Sequence, residues 1–276
     1  MKKPSRNRLR LLHMLWRLKC WRKAGLIERF QLLDGSKFDY PLNSVIGFLL
    51  YAGVFESEEV LFVCDLLKPG GVVLDIGANA GLYTVLAARR VGAQGHVYAF
   101  EPAPRNIELL RRNIALNNLN NVTVIPSAVG NKIGPCQFAV SRDGAMNSLA
   151  KTGHPGQQIE AWQTVDMTTL DVSVRELGLT RIDFIKIDVE GAEKLVFEGA
   201  RDTLASHPNV TILFEAADIA ANGFDYTAKS LLAELTIQGF ALSCFDGANK
   251  TVLQNFDDTR IGRDIYNFVA SKKMRE

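Results

Sequence analysis

The sequence predicts an α/β fold built on a mostly parallel, doubly wound sheet, and three observations predict it. From Val72 onward, short apolar runs alternate with helical patterns, the signature of a sheet covered by helices on both faces. The chain has 276 residues, 47% apolar and 22% charged, which suits one large domain, or one of about 200 residues with an extension. A hydrophobic strand runs straight into a glycine turn at Gly77 and then a helix. This composition excludes disorder, collagen and small disulfide scaffolds.

Taken in order, Gly70 and Gly71 precede a first strand from Val72 to Ile76, followed by a helix from about Ala80 to Val91. Val97 to Glu101 forms the second strand. Pro102 and Pro104 suit the first turn of the next helix, whose Ile107, Leu110 and Ile114 repeat at helical spacing. Val122 to Ile125 is the third strand. Between about 136 and 170 the rhythm breaks, with Phe138 and Val140 alternating with polar residues and glycines at 144, 153 and 156, so an inserted hairpin or lid is expected. Ile182 to Asp188 and Val210 to Glu215 supply the fourth and fifth strands, Phe240 to Phe245 the next, and Ile265 to Ala270 the last. Residues 1 to 70 read as mainly helical. The division expected is a basic helical extension over 1–45 and one domain over 46–276.

Charge is concentrated at the start of the chain. Residues 1–30 hold ten Lys/Arg against the single acid Glu28, a net +9, while the rest carries −7. Leu9, Leu12, Leu15, Trp16 and Trp21 read roughly as one face of a helix, with Arg6, Arg10, Arg17 and Lys23 on the other. Such a helix either lies on an anionic membrane surface or caps the domain with its bases in solvent. Arg17 and Lys19 interrupt the apolar core that a secretory signal needs; an organellar transit peptide remains compatible with the Arg-rich start. The acidic body argues against nucleic-acid binding, which rests on phosphate neutralisation. Tyr40 to Phe55 is too short and too polar to cross a bilayer. Cys20, Cys64, Cys136 and Cys244 are scattered, which fits a reducing, cytoplasmic setting. His13, His96, His154 and His207 show no ligand spacing and read as surface residues, with a reach from the lid to an acceptor as the alternative for His154.

The strongest chemical signal is Leu74-Asp75-Ile76-Gly77-Ala78-Asn79-Ala80-Gly81. Gly77 permits the tight turn and Gly81 a close approach of the helix to ligand or strand. Glu101 ends the next strand, where an acid binds the two hydroxyls of a ribose. A pyrophosphate would favour three glycines and an uncluttered helix end. Here Asn79 replaces the middle glycine and Asp75 adds a carboxylate, and acids attract the ammonium and sulfonium of S-adenosylmethionine instead. A second signal, Lys186-Ile187-Asp188-Val189-Glu190-Gly191-Ala192-Glu193, places Lys186 and Asp188 on one strand face, opening on the crevice of Asp75. Asp188 is the favoured proton acceptor or acceptor-orienting group. Glu190 and Glu215 stand second, Lys186 partners an acid, and no resident metal is expected. The plainer reading is that Asp188 and Glu193 cap the following helix.

These residues, with Phe55-Glu56, Phe100-Glu101-Pro102, Asn113 through Asn117 and Thr169-Leu170-Asp171, resemble the FkbM-type group of class I S-adenosylmethionine-dependent methyltransferases over about residues 50 to 272. The resemblance implies a Rossmann-like sheet of seven strands with the last antiparallel, a methyl donor at Asp75 to Gly81 and Glu101, and Ser127 and Ala128 near its adenine. It further implies O-methylation of a hydroxyl on a sugar, glycan or secondary metabolite. Two other classes are weighed against it. A nicotinamide-dependent oxidoreductase conflicts with Asn79 and Asp75, and a membrane-surface scaffold with a non-catalytic fold conflicts with the intact donor motif.

Overall fold

All seven strands expected after Val72 are present in the computed structural model, which describes residues 6–22, 26–32, 34–142, 144–246, 249–252, 261 and 266–272. Lys23 of the expected basic face and Ile265 at the expected start of the last strand lie outside the described residues. The chain opens with α1 (Arg6–Arg22), the hairpin β1 (Ile27–Gln31) and β2 (Lys37–Pro41), then α2 (Val45–Ala52) and α3 (Ser57–Leu66). An alternating body follows: β3 (Val72–Ile76), α4 (Leu82–Val91), β4 (His96–Phe100), α5 (Pro104–Leu116) and β5 (Val122–Ile125). The insertion comprises β6 (Ala128–Val129), β7 (Gly134–Ser141) and β8 (Ile159–Thr168), and α6 (Leu170–Glu176) leads out of it. The second half contains β9 (Phe184–Ile187), α7 (Glu193–Glu198), α8 (Arg201–Ser206), β10 (Thr211–Glu215), α9 (Asp218–Ala221) and α10 (Ala228–Ile237). It closes with β11 (Ala241–Asp246), β12 (Asn249–Val252) and β13 (Asn267–Ser271).

The central sheet has the order β12-β11-β13-β10-β9-β3-β4-β5. Strands β3, β4, β5, β9 and β10 are parallel, and β13 runs antiparallel between β10 and β11. An eighth strand, β12, folds back on β11 at the edge. Because the chain winds away from β3 in both directions, the carboxyl ends of β3 and β9 form the crevice in which such sheets bind ligands. Alternate residues feed two cores. Leu74, Ile185 and Phe214 pack on Val196 of α7 and Leu231 of α10, while Val73, Phe184 and Leu213 pack on Leu86 of α4 and Val63 of α3. Burial on both faces is why these strands read as continuous apolar runs, each fully buried side chain contributing about 1.5–3 kcal/mol.

Residues 1 to 70 hold the expected helices α1, α2 and α3, together with a β1–β2 hairpin that the helical reading does not include. Gly35, at φ 83°, turns the chain so that Leu32 N–H reaches the Ser36 carbonyl, and Arg29 pairs across the strands with Asp39. From α5, Asn113 accepts from Asp39 N–H (2.7 Å) and donates to Asp39 C=O (3.0 Å), in the manner of a neighbouring strand. Its amide also donates to the carbonyl of Ala80, which ties the hairpin to the turn before α4. Phe38 and Tyr40 are buried in the same core as Val73, so the hairpin is packed into the body of the domain.

The Thr169-Leu170-Asp171 stretch is a double cap: Thr169 Oγ1 accepts from Val172 N–H at the start of α6, and Asp171 accepts from Asp202 and Thr203 N–H in the first turn of α8. The expected insertion is there, as a three-stranded sheet of order β6-β8-β7 around Phe138, Val165 and Met167. The connection from β7 to β8 extends over the crevice, and its ties are described with the site.

Candidate active site

A cavity of about 350 Å³ lies at the carboxyl ends of β3, β4, β9 and β10 and reaches under the β7–β8 connection. Asp75, Gly77, Asn79, Glu101, Ser127, Ala128, Lys186, Asp188, Glu190 and Glu215 all line it; among the expected site residues only Gly81 does not.

At the donor end, Glu101 is only 4% exposed, yet its carboxylate belongs to the cavity wall. One oxygen accepts from Ala103 N–H (2.8 Å) and the Asn106 amide (3.4 Å), the other from Asn79 N–H (2.9 Å). Burial pushes its carboxyl up to about 7, against those donors, which favour the charge. Gly77 stands at φ 80°, and a Cβ there would lie 1.8 Å from the Asp188 carbonyl oxygen, so this glycine lets the tips of β3 and β9 meet. Gly81, at φ 88°, has a different reason from either one expected: its Cβ would collide with Leu110 of α5 at 2.3 Å, so the close approach is to a neighbouring helix. Asn79 takes the left-handed backbone (φ 50°) with its side-chain oxygen on Ala80 N–H.

Asp75 is held beside Lys186 by strand register and accepts from Thr84 Oγ1 at 2.5 Å. Desolvation raises its carboxyl, and the Lys186 charge and the Thr84 bond pull it back down. Burial alone would lower the Lys186 ammonium. The charges of Asp188, Glu56 and Asp75 outweigh it and hold the lysine above its ordinary value. Lys186 Nζ donates to Asp188 Oδ2 at 2.8 Å and sits 4.7 Å over the Tyr83 ring. Glu190 and Glu215 are both raised well above the ordinary glutamate range by desolvation; Glu215 and Asp188 push Glu190 further, as Asp188 and Glu193 do Glu215. Oxygens of Asp188, Glu190 and Glu215 lie within 4.8 Å of one another.

Glu193 is structural, but neither it nor Asp188 caps the following helix as the plainer reading expected: the N-cap of α7 is Ala192, without a side-chain bond, because Glu193 turns back onto the preceding turn. It accepts from Val189 and Gly191 N–H (3.2 Å each) and from the Tyr226 hydroxyl (3.0 Å), which fixes the turn that presents Asp188 and Glu190. Glu56 is a site residue that the sequence showed only as part of a matching dipeptide. It precedes α3 in the left-handed region (φ 36°), accepts from the Tyr83 hydroxyl at 2.5 Å, and is pushed up to about 7 by desolvation against the Lys186 charge. His154 does line the cavity, its Nδ1 accepting from Gly156 N–H. The connection from β7 to β8 is tied down at both ends of the cavity. The Gly144 carbonyl accepts from Asn79 and Asn106 amides at 3.2 Å, and Ser148 Oγ donates to the Glu190 carbonyl at 2.7 Å.

The donor set fits S-adenosylmethionine. A buried carboxylate with acceptor atoms only meets ribose hydroxyls, and the acids around Asp75 suit a cationic ligand, whereas among the described residues no basic side chain stands at the turn to meet a pyrophosphate. Fold and site together define an S-adenosylmethionine-dependent methyltransferase with a Rossmann-like sheet. More narrowly, the methyltransferase FkbM domain profile matches residues 75–252, and the chain belongs to that family. It is 28% identical over 244 residues to Methyltransferase 1 of Beauveria bassiana, covering 79% of this chain and 91% of the relative. It is 26% identical over 281 residues to the 31-O-demethyl-FK506 methyltransferase FkbM of Streptomyces tacrolimicus, covering 90% and 98%. Among solved structures, a putative rRNA-methylase from Clostridium thermocellum superposes with a TM-score of 0.50 at 12% identity, covering 80% of this chain and 97% of that one, a likeness of fold alone. The family membership sets aside the oxidoreductase reading.

Proposed function

We propose that the enzyme O-methylates a hydroxyl of a small-molecule or glycan acceptor, with Asp75, Gly77, Asn79, Glu101, Ser127 and Ala128 holding the donor. When bound, S-adenosylmethionine supplies a methyl group made electrophilic by its sulfonium. The observation that carries the reading is the carboxylate group Asp188, Glu190 and Glu215 on the wall of the cavity that also holds Glu101. Lys186 occupies Oδ2 of Asp188, so the hydroxyl is oriented by the other oxygen and its proton passes into the three-carboxylate group. The lysine's charge, 2.8 Å from Asp188, opposes a cation there and favours a metal-free route. Val45, Ile46, Leu49 and Phe55 line the same cavity as these acids, which suits an acceptor with an apolar body. The Streptomyces tacrolimicus relative is named for methylation at an oxygen, in keeping with this chemistry.

The test is methyl transfer from labelled donor to a panel of hydroxyl compounds, with and without chelator. Asp188→Asn is expected to lose about 10²- to 10⁴-fold in turnover with donor affinity unchanged, since one proton-transfer partner is removed. Activity abolished by chelator and restored by magnesium overturns the metal-free route. Transfer only to amines overturns O-methylation.

A further inference from the structure

Helix α1 has two apolar faces, and the fold uses one. Trp16 donates to the Leu42 carbonyl at 2.7 Å and packs against Phe48 of α2, Lys19 pairs with Glu28, and Leu9, Leu12 and Cys20 are half-buried on the same side. Leu15 and Trp21, expected on that face, are turned away. They join Leu11, Met14 and Leu18 in a stripe at three- and four-residue spacing that is 42–82% exposed, with Trp21 the most exposed. Arg10 and Arg17 flank the stripe in solvent, and the helix Arg6–Arg22 contains no acid.

We propose that this face seats the enzyme on an anionic lipid bilayer, the apolar stripe entering the headgroup region and the arginines meeting lipid phosphates. Charge selects this occupant. Residues 1–30 carry +9 against −7 for the rest of the chain, so an anionic surface attracts one end of the molecule and repels the other. A second copy meeting it helix to helix offers no complementary charge: the pairing brings arginine toward arginine, with no acid in either helix to neutralise it. An aromatic ring at the end of the stripe, here Trp21, is the side chain that settles at a bilayer interface. Neither the stripe nor the arginines touch the acid-lined cavity, so the inference stands apart from the methyl-transfer reading.

The experiment is flotation of the full-length chain with vesicles of phosphatidylcholine alone and with phosphatidylglycerol added, at low and high salt. Binding is expected only to the anionic vesicles, weakening as salt rises. Arg10→Gln with Arg17→Gln is expected to weaken partition about 30-fold. Leu11→Ser, Leu15→Ser and Leu18→Ser together are expected to abolish binding, with melting temperature and donor affinity unchanged. Tryptophan emission should shift to the blue on anionic vesicles, and Trp21→Phe should remove most of that shift even if the serine variant folds poorly. Equal flotation with neutral and anionic vesicles overturns the proposal, as does wild-type flotation by a folded serine variant. A dimer that the serine substitutions dissociate, in a chain that ignores vesicles, identifies a second copy as the occupant and also overturns it. So does salt-sensitive binding of an RNA duplex with none to vesicles.

Discussion

Glu101 makes donor binding depend on pH in a direction that its surroundings fix. Its carboxyl stands at about 7 in the free enzyme because burial outweighs three N–H donors. The ionised acid accepts from both ribose hydroxyls, whereas the neutral acid keeps one acceptor oxygen and turns the other into a donor, so a proton on Glu101 weakens donor binding and affinity rises as pH rises through that value. One competing proton multiplies the dissociation constant about 11-fold one unit below the pKa and hardly at all one unit above. Calorimetric titration at pH 6 and pH 8 should therefore differ by up to about 10-fold, the limit at which the neutral acid does not bind the ribose. Glu56 also titrates near 7 in this cavity, which makes Glu101→Gln the necessary control. At pH 8 the variant should bind about 10- to 150-fold more weakly, the loss of a hydrogen bond to a charged group. Between pH 6 and 8 it should show a clearly shallower slope than the wild type. Equal slopes in the two proteins would refute the assignment of the pH dependence to Glu101, and unchanged affinity at pH 8 would remove it from the ribose site.

Three further outcomes follow from the same geometry. Without donor, the fold should melt at higher temperature at pH 6 than at pH 8. Glu56, Glu101 and Glu193, all near 7 when folded and near 4.3 when unfolded, contribute stability that is fully present below the unfolded value and is lost as pH rises through the folded one. Asp39, lowered by its bond to Arg29, acts in the opposite sense only in strong acid, and His96, lowered by burial, opposes the trend near pH 6 as one group against three, so a melting temperature that rises from pH 6 to pH 8 would contradict the burial argument. Gly77→Ala sets a Cβ 1.8 Å from a backbone oxygen at φ 80°, and backbone strain alone costs about 1–3 kcal/mol; a wild-type urea midpoint would show that β3 and β9 do not meet as described. Asn113→Ala leaves the buried Asp39 N–H and two carbonyls without their partner and should cost on the order of 3 kcal/mol in urea unfolding, whereas a loss under about 0.5 kcal/mol would contradict the clamp.

What the sequence made legible was local. The strands β3, β4, β9 and β10 are apolar runs bounded by turn residues, and an acid within one residue of each strand end shows by its position alone that it lies at the crevice. The hairpin was not legible, because its signal is split: Arg29 and Asp39 pair across a turn, and the side chain that completes the edge comes from Asn113, 74 residues on from Asp39. Glu56 escaped for a similar reason, since its place depends on an unusual φ and on the Tyr83 hydroxyl. Motif residues also divided in a way that a sequence cannot display: Asn113, Thr169, Asp171 and Glu193 hold backbone, while Asp75, Glu101 and Asp188 face the cavity.

Glu56, Asn79 and Glu190 all line the cavity in the left-handed region, where a side chain costs energy that glycine would not. Anyone improving the enzyme for heat or storage by ranking substitutions on melting temperature would therefore be led to its centre. Glu56→Gly and Glu190→Gly relieve the backbone and, at the same stroke, dismantle the acid wall. For this protein a thermostability screen run without an activity count selects against the enzyme. The useful gains lie elsewhere, at positions such as Asn118, which shares the strained backbone but stands outside the cavity.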